Sequence, residues 1–79
     1  MEKFIIKGDF ITIGQFLKTH SIVSSGGMVK PFLEENDIFL NGVKENRRGK
    51  KIYVNDTLSV LGKEYLFIND WTLRIKELS

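Results

Sequence analysis

Ile38-Phe39-Leu40-Asn41-Gly42-Val43-Lys44-Glu45-Asn46-Arg47-Arg48-Gly49-Lys50-Lys51 decides how this chain is read. Its first three residues are β-prone. Asn41-Gly42 is a dipeptide favoured in two-residue hairpin turns, where both central positions need positive φ. The second half is a basic loop: five of the eight residues at 44–51 are Lys or Arg, with Glu45 the one acid among them. The rest of the chain holds seven basic and nine acidic side chains, so the formal net charge of +2 hides a local excess. A local cationic patch fixes a polyanion in one orientation, which a diffuse charge does not.

Working upstream, Met28, Val29, Phe32 and Leu33 form one apolar stripe at helical spacing. The helix they predict enters from Ser24-Ser25-Gly26-Gly27, with a serine as its N-cap, and closes at Asn36-Asp37. Pro31 is tolerated only in the first turn, so the regular helix is expected to begin near Gly27 or Met28. An earlier helix starts where Thr12 and Gln15 have capping-box spacing and Ile11 and Phe16 have hydrophobic-staple spacing. Ile13, Phe16 and Leu17 share its apolar face, and it is expected to end near Thr19-His20. Phe4-Ile5-Ile6 reads as a strand, followed by a Lys7-Gly8-Asp9 turn.

Downstream of the loop, Ile52-Tyr53-Val54 reads as a strand and Asn55-Asp56 as a turn. Thr57-Leu58-Ser59-Val60 alternates like a half-buried strand, Gly62 breaks it, and 65–68 is a further strand. In the tail, Trp71, Leu73 and Ile75 alternate like a strand, while Trp71, Ile75 and Leu78 also match helical spacing; a strand is the reading preferred. The fold class expected is α+β: two short helices packed on a small, mostly antiparallel sheet, with N- and C-terminal strand extensions.

Seventy-nine residues are read as a single domain with a small core. The chain has no cysteine and one histidine, His20, which excludes disulfides, thiolate zinc sites and His-cluster metal sites. No apolar run approaches the roughly 20 residues of a membrane span. The charged N-terminal stretch is too short for a secretory signal, so a cytoplasmic protein is expected.

The order of helix, Ser-Gly turn, helix, strand, Asn-Gly turn and basic loop resembles the S-four RNA-binding domain, also called the αL motif. The residues that carry the resemblance lie within about 12–60. They are Gly14-Gln15-Phe16-Leu17-Lys18, Ser25 through Lys30 to Leu33, Ile38 to Gly42, and Asp56-Thr57-Leu58. Small stand-alone bacterial members, the YaaA-type and YbcJ-type proteins, are most similar, with a comparable Asn-Arg-Arg-Gly-Lys-Lys. Thr12 and Gly26 stand where many members carry arginine. The resemblance implies an RNA-binding surface made by the second helix, the strand turn and the loop. It places Lys30 toward a phosphate, Asn41 in the turn, and Arg47, Arg48, Lys50 and Lys51 in the loop. Lys44 joins them as an orienting charge.

The chemistry of these residue types is compatible. Arginine donates two parallel hydrogen bonds to phosphate and lysine acts as a point charge. Gly49 is expected to let the loop turn, and N–H groups at Ser25, Gly26 and Gly27 offer a further phosphate contact. Phe4, Phe16, Phe32, Phe39 and Phe67 are assigned to the core. Tyr53 adjoins the loop, where it could stack on a base or pack on the sheet, and packing is favoured; Trp71 is expected to anchor the tail to the core, while an exposed tryptophan there would mark a protein contact. RNA shape rather than base sequence is therefore the expected determinant. His20 lacks an acid–base partner, and adjacent Glu34 and Glu35 do not face each other on a helix, so no catalytic group is proposed. Expected partners are structured RNA, ribosomal RNA before transfer RNA, and the ribosome or an assembly intermediate. A monomer without cofactor or metal is expected. The alternative is a protein-interaction module docking on a larger partner.

Overall fold

The computed structural model describes residues 1–71. In chain order the elements are β1 (Glu2–Ile5), β2 (Ile11–Thr12), α1 (Ile13–Thr19), a 3₁₀ turn (Gly26–Met28), α2 (Val29–Glu35), β3 (Ile38–Leu40), β4 (Val43–Lys44), β5 (Lys51–Ile52), β6 (Thr57–Val60) and β7 (Lys63–Ile68). Five strands make one sheet in the order β1-β7-β6-β3-β4, and β2 pairs with β5 in a separate two-stranded ribbon. All pairs are antiparallel except β1 with β7. This is the α+β architecture expected.

The start of α1 follows from local chemistry. Gln15 N–H donates to Thr12 Oγ1 at 3.2 Å, and Thr12 N–H donates to Gln15 Oε1 at 3.0 Å, so the capping box closes in both directions. Ile13, Phe16 and Leu17 are fully buried against the sheet. A seven-residue helix is not stable alone, so this face sets its place. Phe16 is the centre of an aromatic cluster, with ring centroids 5.0 Å from Phe4, 5.0 Å from Tyr65 and 5.1 Å from Phe67.

The second helix differs from expectation. Ser25 precedes the 3₁₀ turn, but its side chain makes no capping hydrogen bond, and α2 itself starts at Val29 after Met28. Pro31 is thus the third helical residue, within the turn whose N–H groups have no intrahelical acceptor, and its missing donor costs nothing there. Val29 and Leu33 are buried and Phe32 packs against the core, but Met28 is 50% exposed, because it lies on the 3₁₀ turn outside the helical stripe.

Two tight turns fix the sheet register. Asn41 and Gly42 have φ of 53° and 81°, as a two-residue hairpin requires, and pair Leu40 with Val43. Leu61 and Gly62 have φ of 51° and 78° and join β6 to β7 in the same way. The expected 52–54 strand is only Lys51–Ile52, and its partner is Ile11–Thr12. Phe39 is not a core residue. Ile38 and Leu40 take the inner face, so the pleat turns Phe39 outward, where it is 38% exposed. Trp71 is 69% exposed rather than anchored, and the rest of the expected tail strand lies outside the described residues.

Candidate nucleic-acid interface

The basic loop is tied to the start of α1. Ile13 N–H donates to the Lys50 carbonyl at 3.0 Å and Gly14 N–H to the Arg48 carbonyl at 2.9 Å. These are the first two helical donors, which no residue of the helix can satisfy. The loop thus caps α1 while α1 holds the loop. Gly14 makes the approach feasible: a Cβ there would lie 3.3 Å from the Arg48 carbonyl oxygen and 3.5 Å from a Val29 methyl. Within the loop, Lys50 N–H returns to the Arg47 carbonyl at 3.1 Å, closing a turn over Arg48-Gly49. Gly49 does not use left-handed backbone, so the freedom expected of it is not what makes this turn.

Tied down in this way, the cations divide into two groups. Arg48 lines a cleft of about 420 Å³ with Lys30, Leu33, Glu34 and Asn46. It also borders a second cleft of about 310 Å³, shared with Gly14, Lys18 and Gly26. Arg47, Lys50 and Lys51 lie together on another cleft of about 370 Å³, with Gly49 and Tyr53. Lys30 and Arg48 are therefore brought together across the α2–loop boundary, as the sequence implied. Of the Ser25-Gly26-Gly27 group, Gly26 reaches the Arg48 side.

Lys18 was not singled out from sequence. Its place beside the loop follows from Gly14, one turn earlier on the same helix face, whose contact with Arg48 only the fold reveals.

The acid inside the loop organises it. Glu45 accepts from the Asn46 and Arg47 backbone N–H groups and from Arg47 Nε and Nη2, the last two both at 3.0 Å. Hydrogen bonding from the Arg47 side chain holds the Glu45 carboxyl down at about 2. It therefore stays ionised near neutral pH, and Arg47 is raised in turn by the same contact. Lys44 is also paired, with Asp37 at 3.1 Å. Among the described residues, Lys30, Arg48, Lys50 and Lys51 have no carboxylate at salt-bridge distance.

Asn41 is occupied within the fold. Its Nδ2 donates to Asp56 Oδ1 at 3.0 Å, and its Oδ1 accepts from Thr57 N–H at 2.9 Å. Asp56 in turn accepts from Tyr53 N–H at 2.8 Å. Asn41→Ala removes two short hydrogen bonds of about 1 kcal/mol each and a long one from Thr57 Oγ1 at 3.4 Å, and puts a residue without a polar side chain at positive φ. It is expected to lower unfolding free energy by about 2–3 kcal/mol in urea denaturation. Unchanged stability would show instead that the amide matters only to a ligand.

A family model described as "S4 domain" matches residues 4–68. The chain belongs to the S4 domain family. A curated relative from Bacillus subtilis (strain 168), "Probable ribosome maturation protein RlbA", is 46% identical over 57 residues, covering 72% of this chain and 80% of the relative. No solved structure matches. Among the described residues no helix is long and apolar enough to cross a membrane. No group of three or more metal-ligating side chains is found there either.

Proposed function

We propose that this S4 domain chain binds structured RNA without catalysis, with residues 1–79 acting as one binding domain. The target class is ribosomal RNA, free or in a ribosome assembly intermediate, in the cytoplasm; transfer RNA ranks second. The observation that carries this reading is the clamped loop. Backbone bonds from α1 hold Arg48 beside Lys30 and Lys18, three cations on exposed positions of three different segments. A preorganised cationic surface of this kind suits the phosphates of an RNA helix better than a mobile charge run does. The relative's printed role in ribosome maturation supports the target class.

The test is fluorescence anisotropy with a labelled structured RNA across salt concentrations, with duplex DNA as comparison. About five phosphate contacts should give a log–log slope of about −3.5 to −4.5, with RNA preferred. Absence of RNA binding at low salt would sink the proposal. Exposed Trp71 favours a second reading, docking on a protein partner. That interface would respond weakly to salt, so the same titration separates the two.

A further inference from the structure

We infer that Phe10 and Tyr53 form a stacking platform for one unpaired base of the bound RNA, beside the loop cations that take its phosphates. The inference rests on the RNA-binding reading and adds the form of RNA recognised: a structured RNA with a bulged, looped-out or terminal nucleotide.

The two-stranded ribbon places the rings. Its register pairs Ile11 with Ile52 and Thr12 with Lys51, so one step further along brings Phe10 opposite Tyr53. Ile52 is buried and Ile11 packs against the core. Alternation along the strands therefore sends Phe10 and Tyr53 to the other side. They are 39% and 49% exposed, with ring centroids 6.0 Å apart and planes tilted by 53°, so neither covers the other's face. Lys51 Nζ sits 4.6 Å from the Phe10 centroid. That cation–π contact occupies Phe10 and leaves Tyr53 the freer face, with Phe10 as its buttress. Neither ring belongs to the hydrophobic core cluster or packs among the residues against it.

The same Tyr53 lines the shallow cleft of about 370 Å³ with Arg47, Lys50 and Lys51, so the ring and the loop cations share one surface. An apolar partner would gain from the rings but would have to desolvate the cations. A nucleotide matches both, with a π face for the ring and phosphates for the charges. Bases inside a duplex keep their faces stacked on one another, so only an unpaired base can reach this ring. The sequence leaves Tyr53 between packing on the sheet, which it favours, and stacking on a base; the short β5 strand ends before Tyr53 and leaves it at the edge.

The test uses the full chain and two RNA hairpins, one fully paired and one with a single unpaired 2-aminopurine nucleotide in its stem. Wild-type protein is expected to bind the bulged hairpin about tenfold more tightly than the paired one and to change the 2-aminopurine fluorescence through stacking. Tyr53→Leu is expected to abolish the preference between the two hairpins. Its hydrogen bonds with Asp56 come from the backbone and survive the change. Phe10→Leu is the second variant and should reduce the preference. Equal wild-type affinity for the two hairpins overturns the platform alone, as does a preference that persists in folded Tyr53→Leu. Parallel weakening of both hairpins in that variant also overturns it, because Tyr53 would then shape the loop. No wild-type binding to either hairpin overturns the RNA-binding reading, and the platform with it.

Discussion

Phe16→Ala is expected to lower the unfolding free energy by about 3–5 kcal/mol. For 79 residues the whole stability is about 4–12 kcal/mol, so this one change takes a large share of it. Phe16 is fully buried and is the ring that Phe4, Tyr65 and Phe67 all meet edge-on. Ala would open a cavity at the point where α1 meets β1 and β7. Those elements join the two ends of the described chain, and the seven-residue helix depends on this aromatic packing together with buried Ile13 and Leu17 and the loop clamp. Loss of α1 would also free the Arg48 and Lys50 carbonyls, so the loop would lose its shape with the core. Urea denaturation followed by near-ultraviolet circular dichroism reads the effect. A loss below about 1 kcal/mol would mean the aromatic cluster is not what holds α1. Phe39→Ala is the contrast: the outward ring should cost well under half as much.

That contrast marks what the sequence could show. Phe16 was legible because capping box, staple and helical spacing all act within seven residues, 11–17, and agree. Phe39 was assigned to the core on residue type, although the period of two through Ile38-Phe39-Leu40 already turned it outward. The Asn41-Gly42 turn was legible because its residues favour the φ it needs. The matching turn at Leu61-Gly62 was only half visible, since leucine carries no preference for φ of 51°. The pairing of Ile11–Thr12 with Lys51–Ile52 was not legible at all. Two-residue strands about forty positions apart leave no pattern, and the pairing lies beside the backbone contact between α1 and the loop.

The site was legible as a cluster of charge and illegible as an arrangement. Glu45 lies two residues before Arg47, yet only the folded loop brings both carboxylate oxygens onto the guanidinium. Asn41 was read as a ligand donor because it sits in the turn, whereas Asp56 and Thr57 take its amide. The division of the cations follows from Gly14, which lets the loop pass close over α1 with Arg48 on one side.

This division sets the largest expected effect on binding. Lys30→Ala with Arg48→Ala should weaken RNA affinity by about 100-fold or more, at about 1.5–3 kcal/mol for each charge-assisted contact, and should reduce the magnitude of the salt slope by about 1.4–1.8. Arg47→Ala should weaken it only a few-fold. Nε and Nη2 of Arg47 are already bound to Glu45, so a phosphate must share the remaining N–H groups or displace a carboxylate that it repels. The comparison is clean structurally. The clamp to α1 uses the Arg48 carbonyl, which the substitution keeps, and both Lys30 and Arg48 are exposed. Anisotropy titrations of the three proteins against one structured RNA decide it. An Arg47→Ala loss as large as that of the double variant would mean that Glu45 releases Arg47 on binding. The working set of cations would then be the contiguous run of the sequence rather than the group assembled by the fold.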